Sequence, residues 1–177
     1  MKSIGIVRRI DEMGRIVIPK EIRKTLRINS NDSIEIYIEG EEKIILKKYS
    51  LLKKIDDFAQ KFVDSMYNFI KYNIIITDTK DIIAAAGPNK KDYLNQPISE
   101  GLENSILRRE NILEKYQKDY ELIKGKKENG TYAISTIITN GDAVGLLIIS
   151  SSGEEITKTE EKIVKIASQF LGKYLEQ

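Results

Sequence analysis

The stretch GIVRRIDEMGRIVIPKEIRKTLRI, residues 5–28, decides the fold of the N-terminal part of the chain. Isoleucines recur on one face of Ile4–Ile10 and of Arg15–Ile18, which predicts two short strands. The polar residues between them end in Gly14, which can adopt a positive φ, so a turn is expected there. Pro19 suits the first position of a helix, which predicts that PKEIRKTL follows the second strand as a helix.

The next residues predict a β-hairpin. Apolar and polar residues alternate in SIEIYIEG, with Ile34, Ile36 and Ile38 expected to face inward, and IILKKY supplies the returning strand. Residues 1 to about 49 therefore form a β-β-α-β-β unit, which is too small to be stable through its own core. Because the chain has no cysteine, a disulfide cannot stabilise the unit, and we expect a tightly packed or interlocked dimer.

Positive charge is concentrated in this same segment. Residues 1–27 carry eight cations and three anions, a net charge of +5, whereas the whole chain carries +2. A basic end on a near-neutral body suggests a polyanionic partner, and arginine suits phosphates and guanine edges better than lysine does. A symmetric dimer would match the two-fold pseudo-symmetry of duplex DNA. A solvated charged face is the alternative. The predicted DNA-binding residues are Arg8, Arg9, Arg15, Arg23, Lys24 and Arg27. Of these, Arg9 and Arg27, like Lys2, either contact phosphates or stay solvated.

The composition argues against several other classes of protein. The chain has neither histidine nor cysteine, so it lacks the usual general base and the commonest metal ligands. We therefore expect no enzyme, no metal site and no cofactor. No apolar run is long enough to span a membrane, and the N-terminus does not resemble a secretory signal, so a cytoplasmic protein is expected.

A second domain is predicted over residues 51–177. Ser50 is expected to cap a long helix that has two apolar stripes, so this helix could meet another helix of the same chain or of a second protomer. A single wide buried face is the alternative. Its heptad-like seam is formed by Leu52, Ile55, Ala59, Phe62, Met66 and Phe69.

The remainder of this domain alternates strands and helices. Ser99 is expected to cap a helix, the turn at Asn140-Gly141-Asp142 to join two strands, and Thr157 with Glu160 to form a capping box for the last helix. Residues 114–130 have no clear pattern beyond a weak strand at 120–124. The first and last helices are expected to bracket the sheet, which indicates an α+β class.

The N-terminal stretch, together with IEIYIEGEEKIILKKY, closely resembles the swapped-hairpin domain of the AbrB family of transition-state regulators. The resemblance covers residues 1–50 and implies that two β-β-α-β-β chains interlock into a dimeric barrel. It places the DNA-contacting positions of that family on Arg8, Arg15, Arg23 and Lys24. At the last of these, lysine keeps the charge and loses bidentate geometry.

The rest of the chain resembles sporulation regulators of that family that carry a C-terminal GAF-like domain. The resemblance rests on VIPKEIRKTLRI, ILKKYS, the KKDYLNQPISE loop and the terminal EQ. It implies a regulator of forespore gene expression, bound to promoter DNA on the nucleoid and assembled as a tetramer through the helices of its GAF-like domain. An unidentified small-molecule effector of that domain and a packed core without a ligand are both compatible with the sequence.

Two other functions are compatible with parts of the sequence. Related swapped-hairpin domains occur in antitoxins, so the chain could be an antitoxin or a DNA-binding partner of another protein. Roughly 125 residues after Ser50 have the pattern of a folded domain, which argues against a short toxin-binding tail. A GAF-fold sulfoxide reductase is disfavoured because that chemistry uses cysteine.

Overall fold

The computed structural model describes residues 5–30 and 32–176, which fall into two compact units, residues 1–49 and 50–177. No helix among the described residues is long and apolar enough to cross a membrane.

The first unit contains one short helix and one hairpin. The helix α1 (Lys20–Thr25) begins directly after Pro19, as expected for a proline at a helix start. The strands β1 (Ile34–Glu39) and β2 (Lys43–Lys48) pair antiparallel with Ile36 opposite Leu46. Both predicted elements are therefore present.

The two predicted strands before α1 are wrong for the single chain. Residues 5–10 and 15–18 belong to no strand, and Ile4 lies outside the described residues. A strand needs a ladder partner, and within the described part of one chain only β1 and β2 pair in this unit.

The expected inward-facing isoleucines of β1 are also not buried. Ile36 is 69% exposed and Ile38 is 81% exposed in one chain. Two-stranded hairpins are marginal in water on their own. The described residues of this unit therefore form no closed core in one chain.

The second unit is built on a five-stranded antiparallel sheet in the order β4-β3-β7-β6-β5. A 3-10 turn at Leu52–Ile55 precedes its first α-helix. Its elements are α2 (Asp56–Ile70), β3 (Asn73–Thr77), β4 (Ile82–Ala86), α3 (Lys90–Tyr93), α4 (Glu100–Arg108), β5 (Asn111–Glu121), β6 (Lys127–Thr139), β7 (Asp142–Ser151) and α5 (Lys158–Tyr174).

Helices cover both faces of this sheet. On one face, Val63 of α2 and Leu171 of α5 pack against apolar residues of β3, β4, β6 and β7. On the other face, Leu102 of α4 and Tyr93 of α3 pack against residues such as Ile148. The prediction that the first and last helices bracket the sheet is wrong, since α2 and α5 share one face and α4 covers the other.

Several local predictions for this unit are confirmed. The Ser99 hydroxyl accepts a hydrogen bond from the Leu102 amide at the start of α4. Thr157 and Glu160 form the capping box of α5. Asn140 and Gly141 both have positive φ, as a two-residue hairpin turn requires.

Two local predictions for this unit are corrected. The Ser50 hydroxyl accepts from the Lys53 amide at 3.3 Å, but the segment it caps is the 3-10 turn, and α2 begins only at Asp56. The unpatterned region 114–130 contains most of β5 and the start of β6. Its polarity follows from position, because β5 is an edge strand whose residues 116–119 are exposed.

Close approach of α5 to the sheet depends on Gly172. A Cβ atom at this position would lie 2.1 Å from the carbonyl oxygen of Ile138 on β6, so only glycine allows the helix to sit at this depth. The buried positions of α5, among them Val164 and Leu171, then reach the sheet.

Candidate nucleic-acid interface

The turn between residues 11 and 15 is closed by hydrogen bonds from both backbone and side chain. The Asp11 amide donates to the Arg15 carbonyl at 3.1 Å, and the Gly14 amide donates to the Asp11 carbonyl at 2.9 Å. Gly14 has φ +76°, in the left-handed region that glycine enters without strain. The predicted turn is therefore present although its flanking segments are not strands in one chain.

The Asp11 carboxylate organises the inside of this turn. Its Oδ1 accepts from the amides of Met13 at 3.0 Å and Arg15 at 2.8 Å, and its Oδ2 accepts from Arg15 Nε at 2.8 Å. The backbone hydrogen bond from Arg15, followed by the one from its side chain, lowers the pKa of Asp11 below its ordinary value. The carboxylate is therefore ionised at neutral pH beside a guanidinium whose side chain is 70% exposed.

Two of the predicted cations lie on α1 and one follows it. Lys24 is exposed, whereas Arg23 is half-buried, and its Nε is buried without a hydrogen-bond partner among the described residues. Arg27 follows the helix with φ +51°, and its carbonyl accepts from Lys48 Nζ at 3.4 Å. The end of α1 is thus tied to strand β2.

The remaining predicted cations precede the turn. Arg8 and Arg9 are exposed in the segment before Asp11, which has no regular secondary structure in one chain. Lys2 lies outside the described residues. Arg8, Arg9 and Arg15 therefore lie on or beside the 11–15 turn, while Arg23, Lys24 and Arg27 lie on or just after α1.

Large apolar side chains are exposed in the same unit as these cations. Val7 is 92% exposed, Val17 is 74% exposed and Ile38 is 81% exposed. A monomeric domain rarely leaves so many large apolar side chains in contact with water. The others exposed in this unit are Ile6, Ile10, Met13, Ile16, Leu26, Ile36, Tyr37, Ile44, Ile45 and Leu46.

The second unit, residues 50–177, contains a buried polar cluster that the sequence did not indicate. Tyr93 is almost fully buried and its hydroxyl donates to Glu128 Oε2 at 2.6 Å. Burial, followed by this hydrogen bond, raises the pKa of Tyr93, and burial also raises the pKa of Tyr120 to about 12. These residues are far apart in sequence and on elements without a motif, so no sequence pattern pointed to them.

Four aromatic side chains join α2 to α5 in this unit. Phe62 and Phe170 stack with ring centroids 5.7 Å apart, and Phe58 and Tyr174 stack at 4.1 Å. The apolar surface of α2 therefore meets α5 of the same chain. Phe170 remains 49% exposed, and Phe69 and Ile166 on these two helices are more exposed still.

Comparison with protein families matches both parts of the chain. Residues 54–176 match the family described as stage V sporulation protein T C-terminal, transcription factor. Residues 7–54 match the family described as antidote-toxin recognition MazE, bacterial antitoxin.

Two individual proteins are similar to this chain, one over its full length and one over 49 residues. The chain is 42% identical to stage V sporulation protein T of Bacillus subtilis (strain 168) over 178 aligned residues, which cover all of both proteins. Over 49 residues it is 63% identical to the transition state regulatory protein AbrB of the same bacterium, which covers 28% of this chain and 50% of that protein.

A solved structure supports the fold of the larger unit. The type II free methionine-R-sulfoxide reductase from Thermoplasma acidophilum superposes with a TM-score of 0.52 at 10% identity, covering 68% of this chain and 94% of that chain. At this identity the likeness concerns the fold alone. The expected α+β class is confirmed, with an AbrB-like N-terminal domain and a C-terminal domain that shares its fold with this reductase. The chain therefore belongs to the family of stage V sporulation protein T, a family of transcription factors rather than of enzymes.

Proposed function

We propose that this chain is a sequence-specific DNA-binding regulator of sporulation genes that acts on the forespore nucleoid. Residues 1–50 are the DNA-binding domain and residues 51–177 the GAF-like domain. The family and the full-length similarity to a sporulation protein support the regulatory role. The AbrB-like N-terminal domain and the basic charge of residues 1–27 support DNA as the partner.

Exposed apolar surface beside the cations is the observation that carries this proposal. The described residues of the first unit form no closed core in one chain, and Val7, Ile36 and Ile38 are each more than two-thirds exposed. Interlocking with a second copy supplies both ladder partners for the segments before α1 and apolar cover for the hairpin. The dimer then carries two copies of the basic segment, related by a two-fold axis.

Within this dimer we assign different roles to the six cations. Arg8, Arg15, Arg23 and Lys24 approach the major groove, and Arg9 and Arg27 contact phosphates. Five of the six side chains are exposed, which is what contact with a ligand requires. Arginine donates in a planar fork that suits guanine and phosphate, whereas lysine acts as a point charge.

The GAF-like unit is proposed to assemble two dimers into a tetramer. The face of α2 and α5 that carries Phe69, Ile166 and Phe170 is apolar and exposed in one chain. Stacked aromatic side chains beneath it, including Phe62, give this face a fixed shape. Helix-to-helix packing between GAF-like units would bury it.

An effector of the GAF-like unit, if one binds, has to displace side chains. Both faces of the sheet are filled by apolar residues in the described part of the chain. On the face covered by α4, the hydroxyl of Tyr93 donates a hydrogen bond to Glu128. Among the described residues, Tyr93 is the largest side chain that is fully buried. Binding on that face therefore has to move α3, which a change in the protection of its amides from hydrogen exchange would report.

An antitoxin is the second candidate function, because residues 7–54 match an antitoxin family. The folded unit of residues 50–177 favours the regulator instead. Deletion of the gene distinguishes a regulator from an antitoxin. A regulator's loss leaves vegetative growth intact and alters sporulation genes, whereas an antitoxin's loss arrests growth until its toxin gene is also removed.

DNase I footprinting of the full-length protein on promoter DNA tests the main proposal. We expect protection in two symmetric half-sites, lost in the triple variant Arg8→Ala, Arg15→Ala, Arg23→Ala. The matched control, Lys61→Ala, Arg108→Ala, Lys162→Ala, removes three exposed cations from the second unit and should keep the footprint. Equal loss in both variants would indicate a non-specific charge effect and refute the site assignment.

A further inference from the structure

The contacts of Asp11 set it apart from the other acidic residues of the basic segment. One carboxylate accepts three hydrogen bonds, two from the amides of Met13 and Arg15 and one from Arg15 Nε. Glu12, its neighbour, is exposed and accepts no such hydrogen bonds from the part of the chain that the structure describes. An acidic residue on a surface that binds DNA would ordinarily weaken binding by repelling phosphates, so its presence there needs a specific reason.

An isolated surface ion pair would not supply that reason. The side chains of Arg15 and Asp11 are 70% and 44% exposed, and exposed pairs of this kind contribute little to stability. Here the same carboxylate holds both the backbone amide and the side-chain Nε of Arg15, each at 2.8 Å. Two contacts on one residue fix the direction of its side chain relative to the turn.

The contact leaves a defined part of the Arg15 guanidinium for a ligand. Arginine has five N–H donors in a planar fork, and Asp11 engages the one on Nε. The edge formed by Nη1 and Nη2 makes no hydrogen bond within the described part of the chain. Two parallel donors in this arrangement match the O6 and N7 acceptors of guanine in the major groove.

We propose that Asp11 is a positioning residue for DNA recognition, which orients Arg15 so that its Nη edge reads a base. This inference rests on the proposed DNA-binding function and adds a specificity determinant to it. Asp11 lowers the entropy that Arg15 would lose on binding, because the side chain is already held in one direction. The Asp11 carboxylate also repels phosphates on any DNA. At the specific site, the base contact of the oriented Arg15 offsets this repulsion.

The variant Asp11→Asn separates orientation from charge. Asparagine keeps Oδ1, which can accept from the amides of Met13 and Arg15, but its NH₂ group cannot accept a hydrogen bond from Arg15 Nε. The substitution also removes a negative charge, which by itself strengthens binding to any DNA. The two effects therefore have opposite signs at the specific site.

Binding of the full-length protein to two duplexes measures both effects. The first duplex is selected from a random library by the wild-type protein, and the second is a scrambled duplex of the same composition. We expect Asp11→Asn to bind the selected duplex about tenfold more weakly, as for the loss of one well-formed bidentate base contact. Its affinity for the scrambled duplex should be equal or higher, so the specificity ratio falls.

Glu12→Gln is the matched control, because it removes the same charge from the adjacent exposed residue. It should raise the affinity for both duplexes slightly and leave their ratio unchanged. If Asp11→Asn behaves in the same way as Glu12→Gln, Asp11 is a repelling charge only and the inference is overturned.

A double-mutant cycle guards against misfolding of the turn. In an Arg15→Ala background, Asp11→Asn should have no further effect on the specificity ratio. A further loss of the same size in that background would show that Asp11 acts through the fold of the turn, which contradicts the inference. If Arg15→Ala itself leaves binding to both duplexes unchanged, the site assignment fails rather than the role of Asp11.

Discussion

Replacement of Phe170 by aspartate tests the proposed assembly through the GAF-like unit. Phe170 lies on α5 with its ring centroid 5.7 Å from that of Phe62 and 6.3 Å from that of Tyr174, and it is 49% exposed. Truncation of a fully buried phenylalanine costs about 3–5 kcal/mol, so a side chain that is half-buried should cost about 2 kcal/mol within one chain. A domain stable by about 5–15 kcal/mol tolerates this loss.

The effect on assembly should be much larger than the effect on folding. In the tetramer Phe170 would be buried between chains, and an aspartate there would place an unpaired carboxylate in an apolar interface. Light scattering coupled to size-exclusion chromatography should therefore find four copies of the 20.3 kDa chain in the wild type and two in Phe170→Asp. The far-ultraviolet circular dichroism should be unchanged.

A neighbouring substitution provides the control. Gln169 is exposed at the neighbouring position of the same helix, so Gln169→Asp adds the same charge without removing an aromatic side chain. It should remain a tetramer. A Phe170→Asp protein that is folded and still contains four chains would refute the reasoning, because the aromatic face would then be internal to one chain.

Three further predictions concern the N-terminal unit and the buried tyrosines. Ile38→Asp alters a side chain that is 81% exposed in one chain, so we expect loss of the dimer in sedimentation equilibrium together with loss of DNA binding; a dimer that persists would contradict the interlocked barrel. Arg27→Gly relieves a left-handed backbone and should stabilise the protein by about 1 kcal/mol in urea unfolding while weakening DNA binding; a loss of stability would show that contacts of Arg27 outweigh its strain. Burial raises the pKa of Tyr120 to about 12, so the folded state keeps a proton that the unfolded chain releases near pH 10. The free energy of unfolding should therefore fall as the pH rises from about 10 to about 12, and less steeply in Tyr120→Phe; identical slopes would contradict this origin.

Elements with local rules could be predicted from the sequence. The turn at Gly14, the start of α1 after Pro19 and the capping box at Thr157 depend on neighbouring residues only, and each lies where it was expected. The hairpin at Asn140 is of the same kind. These features follow from backbone conformation and short-range hydrogen bonds, which a sequence window contains.

Elements that depend on distant partners could not be predicted. Residues 5–10 have the alternation of a strand but pair with no strand among the described residues of one chain. In contrast, β5 has a partner but no alternation, because it lies at the sheet edge. Likewise, the Gln60 amide group donates to the Ala85 carbonyl at 3.0 Å and covers the edge of β4. A polar residue on a helix carries no indication of such a contact.

The residues of the candidate interface could be predicted only in part from the sequence. The basic residues were evident from composition, whereas the hydrogen bonds between Asp11 and Arg15 were not predicted. An aspartate that lies two and four residues before its hydrogen-bond partners is nevertheless typical of a turn closed by a side chain. The half-burial of Arg23 on a six-residue helix also depends on packing. Which cations contact DNA is decided by geometry that charge patterning does not contain.

Salt-dependent DNA binding tests the central claim most directly. If about eight of the dimer's predicted cations neutralise phosphates, log K should fall with log salt at a slope of about −7. Fluorescence anisotropy of the full-length protein on A/T-rich promoter DNA should give this slope, and binding should be lost or strongly weakened in Arg15→Ala. A slope near zero, or the same slope and affinity in both proteins, would show that the arginines form a solvated face and would contradict the account.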